Sequence, residues 1–286
     1  MSIQLPSKVK DSLHKSTLHT LYDVSNQIKS LDLLGKISTK EKNYAFSEML
    51  NKVGFADIRS SLNIENITLR IGQTEELMKV FQMNQELKKT DVDISNIRGS
   101  REALNSLDAS EFIKIVRDES LTASLIKDFH HKIMSGTNLE DAQVGAFRKS
   151  DVSVQKGELG QLEVTDPLFI SEEVSELCNI FNHHLSEDPI ILGAWLQHEL
   201  SKIHPFKDGN GRTIRKITDW CLSKFNYFPF HIGDISKSKY YDLLYEADDG
   251  DYNPLINHIA DLQLENIEIY KSSVEKSRES RKMLFD

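Results

Sequence analysis

The sequence predicts an all-α protein interrupted by one short β-hairpin, and three observations carry that expectation. Only 13 glycines and 6 prolines occur in 286 residues, so helix breakers are scarce. Most long stretches place apolar residues three and four apart, the period of a helix, rather than in alternation. The exception lies between Ser150 and Pro167, where Val152, Val154, Leu162 and Val164 alternate with polar residues around Gly157 and Gly160. That is the pattern of two strands and a turn.

In chain order, residues 1–100 read as an N-terminal helical region, with a polar break at Asp91–Ser100 that serves as a loop or hinge. Residues 101–265 read as a core domain, and 266–286 as a helical tail whose charged stretch, Lys271 to Arg281, is a solvated helix or frayed end. Within the core, Ile190 to Ile203 contains no breaker and is expected to be a helix. Ile214, Ile217, Cys221, Leu222 and Phe225 share one apolar stripe and define the next helix, which puts Arg215 in its first turn. The segment between them is then a loop held at both ends by buried helices. Internal repeats and low-complexity tracts are absent from the sequence.

Hydrophobic residues make up 39% and charged residues 28%, the balance of a soluble globular protein. No run of about 18 apolar residues occurs, so no membrane span or membrane partner is expected. The segment Met1, Ser2, Ile3, Gln4, Leu5, Pro6 lacks the makeup of a signal peptide, and a cytoplasmic location is the expectation. Cys178 and Cys221 fall inside apolar-periodic segments and suggest neither a disulfide framework nor a zinc site. A net charge of −9 argues against a nucleic-acid partner. Lys207, Arg212, Arg215 and Lys216 nevertheless cluster, which makes a local positive field suited to a small anion.

That cluster belongs to His204, Pro205, Phe206, Lys207, Asp208, Gly209, Asn210, Gly211, Arg212, Thr213, Ile214, Arg215. The glycines let backbone N–H groups approach an anion, and a loop entering a helix adds the positive end of its macrodipole. Arg212 and Arg215 supply fixed forks of donors matched to phosphate oxygens. Asp208 is a hard oxygen ligand of the kind Mg2+ takes when shared with a nucleotide, and His204 exchanges a proton near neutral pH.

These twelve residues resemble the signature of the Fic family, His-x-Phe-x-Asp/Glu-Gly-Asn-Gly-Arg-x-x-Arg, at every specified position. Gly145, Ala146, Phe147, Arg148 resemble the family's upstream Gly-x-aromatic-Arg element. Tyr240, Tyr241 and the run Gly250 to Ile256 resemble its closing helices, so the likeness covers about residues 110 to 265. The resemblance implies a Fic-type helical bundle that transfers AMP from ATP, with Mg2+, to a Ser, Thr or Tyr hydroxyl of a target protein.

By the same resemblance His204 is the general base and Asp208 holds Mg2+. Gly209, Asn210 and Gly211 form the anion cradle, with Asn210 also donating to the α-phosphate. Arg212 and Arg215 grip the β- and γ-phosphates, while Phe206 anchors the loop and Pro205 stiffens it. Tyr240 and Tyr241 line the adenine pocket, and the flap near 152–167 docks the protein substrate by main-chain pairing. Asp248 stands where related sequences often carry an asparagine that reads the base; a carboxylate cannot donate the same hydrogen bond, so the choice of base is open. The other histidines, including His130, His131, His183 and His184, show no ligand spacing.

Upstream, Ser61 and Glu65-Asn66 resemble the family's inhibitory motif, Ser/Thr-x-x-x-Glu-Gly/Asn, in the class with an N-terminal inhibitory helix. The implied role is an ion pair from Glu65 to Arg215 that takes the fork meant for the γ-phosphate. A homo-oligomeric interface that moves this helix would set activity by shifting a two-state equilibrium. Alternatives are removal of AMP by the same site and transfer of UMP, phosphocholine or phosphate. A nucleotide-sensing module without turnover is another, and a transcriptional regulator would need a basic recognition helix that the sequence lacks.

Overall fold

The structure is a computed structural model that describes residues 3–33, 45, 48, 53–54, 57–68, 72–73, 76–77, 99–155, 161–233 and 235–285. Its helices are α1 (Pro6–Asp11), α2 (Lys15–Leu33), α3 (57–64), α4 (Ser100–Val116), α5 (Ala123–Met134), α6 (Ile170–His183), α7 (Pro189–Ile203), α8 (Asn210–Lys224), α9 (Lys237–Asp248) and α10 (Asn253–Phe285). Between α5 and α6 lies the expected hairpin, β1 (Val154–Gln155) and β2 (Gln161–Leu162). It is antiparallel, with Val154 opposite Leu162 and Gln155 opposite Gln161. Among the described residues the fold is therefore all-α apart from this two-stranded flap.

Helix α7 is the axis of the bundle. Asp188 caps it by accepting the Ile190 N–H at 2.9 Å, and Pro189 occupies the first turn, where its missing donor costs nothing. Ile190 to Leu200 is buried on every side, Gln197, His198 and Glu199 included. Trp195 at its centre is fully buried and donates its indole N–H to the Gln4 carbonyl at 2.5 Å. Helix α8 lies against α7, with Ile214, Ile217, Trp220, Cys221 and Leu222 in the same core.

The N-terminal region is continuous with this core. Val9, Leu13, Leu21 and Val24 pack into the cluster that holds α7 and α8. The His14 N–H and the Thr17 hydroxyl both donate to Asn253 Oδ1 at 2.8 Å, which pins α2 to the start of α10. Most of the polar break expected at Asp91–Ser100 lies outside the described residues; Gly99, at φ +84°, leads into α4.

Two boundaries differ from the sequence expectation. Helix α8 begins at Asn210 rather than near Ile214, because Gly209 at φ +75° ends the loop there; Arg215 consequently sits in the second turn. The apolar stripe could not mark that start, since the first turn is polar. The 265/266 boundary falls inside α10, which runs unbroken from Asn253 to Phe285. Ile267, Tyr270 and Val274 bury against Phe228, so the first part of the tail is core rather than solvated helix. No described helix is long and apolar enough to cross a membrane.

Candidate active site

Residues 204–209 join the buried ends of α7 and α8, and the chain must reverse there within six residues. His204 ends α7 in the left-handed conformation (φ +48°, ψ +59°), with its N–H donating to the Leu200 carbonyl. Arg148 holds this turn from outside. Its backbone N–H donates to Pro205 O at 2.9 Å, Nε to His204 O at 2.8 Å, Nη1 to Ser150 O at 3.2 Å, and Nη2 to the carbonyl of Thr165. One guanidinium thus ties the turn to both ends of the flap.

The inside of the loop is held by Phe206, His130 and Asn210. Phe206 is 1% exposed and stacks on the His130 ring at 3.8 Å and 5°, which agrees with its expected anchoring role. His130 Nδ1 accepts the Gly145 N–H at 2.8 Å and Nε2 lies 3.0 Å from Asp208 O. That pairing requires a neutral ring protonated at Nε2, and burial brings the His130 pKa down to about 4. Asn210 accepts the Phe206 N–H at 2.9 Å and returns Nδ2 to Phe206 O at 2.8 Å. Expected to donate to a phosphate, its amide is engaged with the loop, which leaves its backbone N–H for an anion.

Beside the loop lies a cavity of about 590 Å3 lined by His204, Asp208 to Gly211, Arg215, Glu65, residues 152–154 at the start of the flap and the cavity face of α9. Burial, assisted by the Arg148 charge, pulls the His204 pKa down to about 4 against a hydrogen bond from its ring to the Ser201 carbonyl and the charges of Glu65 and Asp208. Its ring is neutral near pH 7. Asp208 projects a side chain that is 65% exposed, and one oxygen accepts the Gly209 N–H at 2.6 Å.

Glu65 and Arg215 meet as expected. Arg215 Nη2 donates to Glu65 Oε1 at 3.0 Å and to Ser61 O at 3.0 Å, while Nε donates to Ser61 Oγ at 2.9 Å. Burial alone would raise the Glu65 pKa, but Arg215 first, then Arg212 and Lys237, hold it below the usual carboxylate range. A Cβ on Gly211 would stand 2.7 Å from Glu65 Oε1. The carboxylate therefore rests against the first turn of α8, where the helix end favours an anion.

One cluster was not anticipated. Lys216 Nζ pairs with Asp57 Oδ2 at 2.7 Å, both side chains under 10% exposed, and touches Ser110 Oγ at 3.1 Å. Asp57, Ser61 and Glu65 are spaced four apart, so α3 and the turn after it present all three to consecutive residues of α8. That spacing was readable in the sequence once α3 was taken as a helix. His130 left no signal, because its role depends on a tertiary stack.

Two expected contributors sit differently from the sequence reading. Arg212 lines a smaller neighbouring cavity of about 400 Å3, on the other side of Glu65, with Asp208 and Glu102. Its Nε is buried without a hydrogen-bond partner among the described residues. Tyr240 is 3% exposed, its hydroxyl bonded to Gln197 and its ring 5.9 Å from the Arg215 guanidinium, so it packs beneath the arginine. Tyr241 is half-buried and faces Tyr245.

The fold and site together define an all-α protein with an anion pocket at a buried helix terminus beside a neutral histidine. Residues 120–222 match the model of the Fic/DOC family. It is 27% identical over 236 residues to the protein adenylyltransferase Fic of Drosophila melanogaster and 28% identical to that of Drosophila erecta, each match covering 80% of this chain and 44% of the relative. The chain thus spans less than half the length of these curated relatives. Among solved structures it resembles Fic-1 (residues 134–508) from C. elegans, with a TM-score of 0.71, 21% identity and coverage of 91% of this chain and 73% of that one. It also resembles a Fic-domain signalling protein from Bacteroides thetaiotaomicron, with a TM-score of 0.73, 19% identity and coverage of 90% and 97%.

Proposed function

We propose that this protein transfers AMP from ATP to a Ser, Thr or Tyr hydroxyl of a target protein, and that Glu65 holds the activity low. The observation that carries the reading is Arg215, whose three donor contacts to Ser61 and Glu65 fill an anion site at the start of α8, with His204 on the wall of the same cavity. Relatives named protein adenylyltransferase support the reaction class.

In this reading the neutral His204 imidazole accepts the proton of the incoming hydroxyl. The hydroxyl oxygen bonds to the α-phosphorus, and the bond to the β-phosphate oxygen breaks to release pyrophosphate. Backbone N–H groups at Asn210 and Gly211 and the Arg215 fork meet the phosphate charge, so catalysis rests on positioning and electrostatics. No group of three or more metal-ligating side chains occurs among the described residues. Asp208, exposed toward the cavity, suits a Mg2+ ion that arrives with the nucleotide and takes its remaining ligands from phosphate and water. When bound, that ion would offset charge on the departing pyrophosphate. The flap, with 152–154 on the cavity wall, would register the target strand by main-chain pairing.

Arg212, on the far side of Glu65, reaches a phosphate once that glutamate withdraws. Removal of AMP by the same site is the second reading, favoured by a glutamate carboxylate within the cavity that holds the histidine.

The test is intact-protein mass spectrometry of the unchanged chain, Glu65→Gly, and Glu65→Gly with His204→Ala, each incubated with ATP and Mg2+. Self-attached AMP on Glu65→Gly alone is the expected result. AMP on the double variant would remove His204 from the chemistry, and absence of AMP from all three would sink the transfer reading.

A further inference from the structure

Three hydrogen bonds tie the Arg215 guanidinium to the N-terminal region, and all three come from Ser61 and Glu65. Whatever withdraws Glu65 acts on the same segment. An arginine gripped only from α3 would lose its aim at the moment a phosphate needs it, and a long charged side chain surrenders much rotamer freedom when it must be ordered afresh.

A second hold comes from the bundle itself. Tyr240, 3% exposed on α9, places its ring 5.9 Å from the Arg215 guanidinium carbon. Burial raises the Tyr240 pKa, against the Arg215 charge and a hydrogen bond between the two side chains, so the hydroxyl is a neutral acceptor for an arginine N–H. Behind it stands Gln197 of α7, fully buried, whose Nε2 donates to the Tyr240 hydroxyl. Gln197 Oε1 has no hydrogen-bond partner among the described residues. Turning the amide over would let the phenol proton donate to Oε1 instead, and in either orientation the phenol oxygen keeps a lone pair for Arg215. A buried amide left partly unsatisfied is a cost to stability. Here it backs a chain of contacts, Gln197 to Tyr240 to Arg215, that runs from the axis of the bundle to the anion site. Leu196, Leu200, Tyr240 and Leu244 share the main buried cluster, so α7 and α9 keep this hold when α3 shifts.

We propose that Tyr240, braced by Gln197, is the positioning residue that keeps Arg215 aimed at the anion site after Glu65 and Ser61 withdraw, and so sets the affinity for a triphosphate. The inference rests on the nucleotide-transfer reading. It gives the inhibited and the open states one arginine conformation, so that a phosphate replaces the Glu65 carboxylate on a fork already in place.

The experiment is calorimetric titration of ATP and AMP into two backgrounds, Glu65→Gly and Glu65→Gly with Ser61→Ala, each with and without Tyr240→Phe. Phenylalanine keeps the ring and removes the hydroxyl. With Tyr240→Phe, ATP is expected to bind about threefold more weakly in Glu65→Gly, where Ser61 still holds the arginine, and about tenfold more weakly once Ser61→Ala is added. AMP, which has no phosphate beyond the first, should change by less than about twofold in both. A residue that merely packed α9 would weaken both nucleotides alike and would not respond to the residue at 61. Gln197→Met, outside the cavity lining, should act in the same direction and carries the test if Tyr240→Phe folds poorly. An equal loss for ATP and AMP, a loss that is the same in both backgrounds, or no loss in the folded variants overturns the proposal while leaving nucleotide transfer intact. No binding of either nucleotide to a folded Glu65→Gly chain overturns both.

Discussion

Asp57→Asn should raise activity, although Asp57 lies outside the cavity. Its carboxylate is 2.7 Å from Lys216 Nζ, and both side chains are under 10% exposed. Removing one partner of such a pair costs about 3–5 kcal/mol when the other charge is stranded. Here it is not fully stranded, because Asp219 Oδ2 stands 4.0 Å from the same ammonium. Burial pushes the Asp219 pKa up to about 6, with the Asp57 charge adding to that rise and Lys216 opposing it. Without the Asp57 charge, Asp219 ionises more readily and takes over part of the pairing, which leaves a net cost of roughly 2 kcal/mol. That cost falls on the docking of α3, the element that delivers Ser61 and Glu65 to Arg215. A shift of about 2 kcal/mol multiplies the undocked population about 30-fold. Initial rates of AMP incorporation from ATP, read by intact mass, should rise between about 10- and 30-fold, with a fall in Tm of about 2–4 °C. A lowered Tm with an unchanged rate would refute the reasoning, since the pair would then hold the bundle without governing Glu65.

His130 is held neutral with a pKa of about 4, below its ordinary 6.5, so its contribution to stability is present above pH 6.5 and is lost as pH falls through 4. Chemical denaturation between pH 7 and 4 should show about 3 kcal/mol of this loss in the unchanged chain and a shallower slope in His130→Asn; parallel slopes would count against it. Gly209→Ala places a Cβ 2.3 Å from Met134 Sδ at φ +75° and should cost at least about 2 kcal/mol by urea melt. Adding Met134→Ala, compared with Met134→Ala alone, should relieve the clash but leave about 1 kcal/mol of backbone strain. Arg148→Lys exchanges a fork of donors for one ammonium, so kcat should fall about 10- to 100-fold with KM for nucleotide nearly unchanged; a kcat within twofold would show that the turn holds His204 unaided.

What the sequence made legible was whatever is local. The helix at 190–203 follows from a stretch without a breaker, and the structure gives Pro189–Ile203. The flap follows from alternation and glycine; its register, with Val154 opposite Leu162, was not read from the sequence. The start of α8 was misplaced because its first turn has no apolar residue to mark it; a left-handed Gly209 decides it instead. Long-range packing was out of reach. That Asn210 would close on Phe206, that Arg212 would face a second cavity and that Tyr240 would pack under Arg215 all depend on how α7, α8 and α9 meet.

If Glu65 inhibits as proposed, its position links that inhibition to the glycine at 211. The first turn of α8 and the Arg215 guanidinium make one anion site, and the missing Cβ of Gly211 is what lets a carboxylate oxygen come within 2.7 Å of where that atom would stand. The same opening is what a phosphate would need. Two anions about 4 Å apart repel by about 4 kcal/mol near a protein surface, so the site accommodates one of them at a time. Glu65 need not block the nucleotide sterically. On the proposed reading it is enough that it satisfies Arg215, because a triphosphate would then meet an arginine already paired. On that reading, control of the site would reside in the docking of α3, which Asp57 and Ser61 hold from outside the cavity.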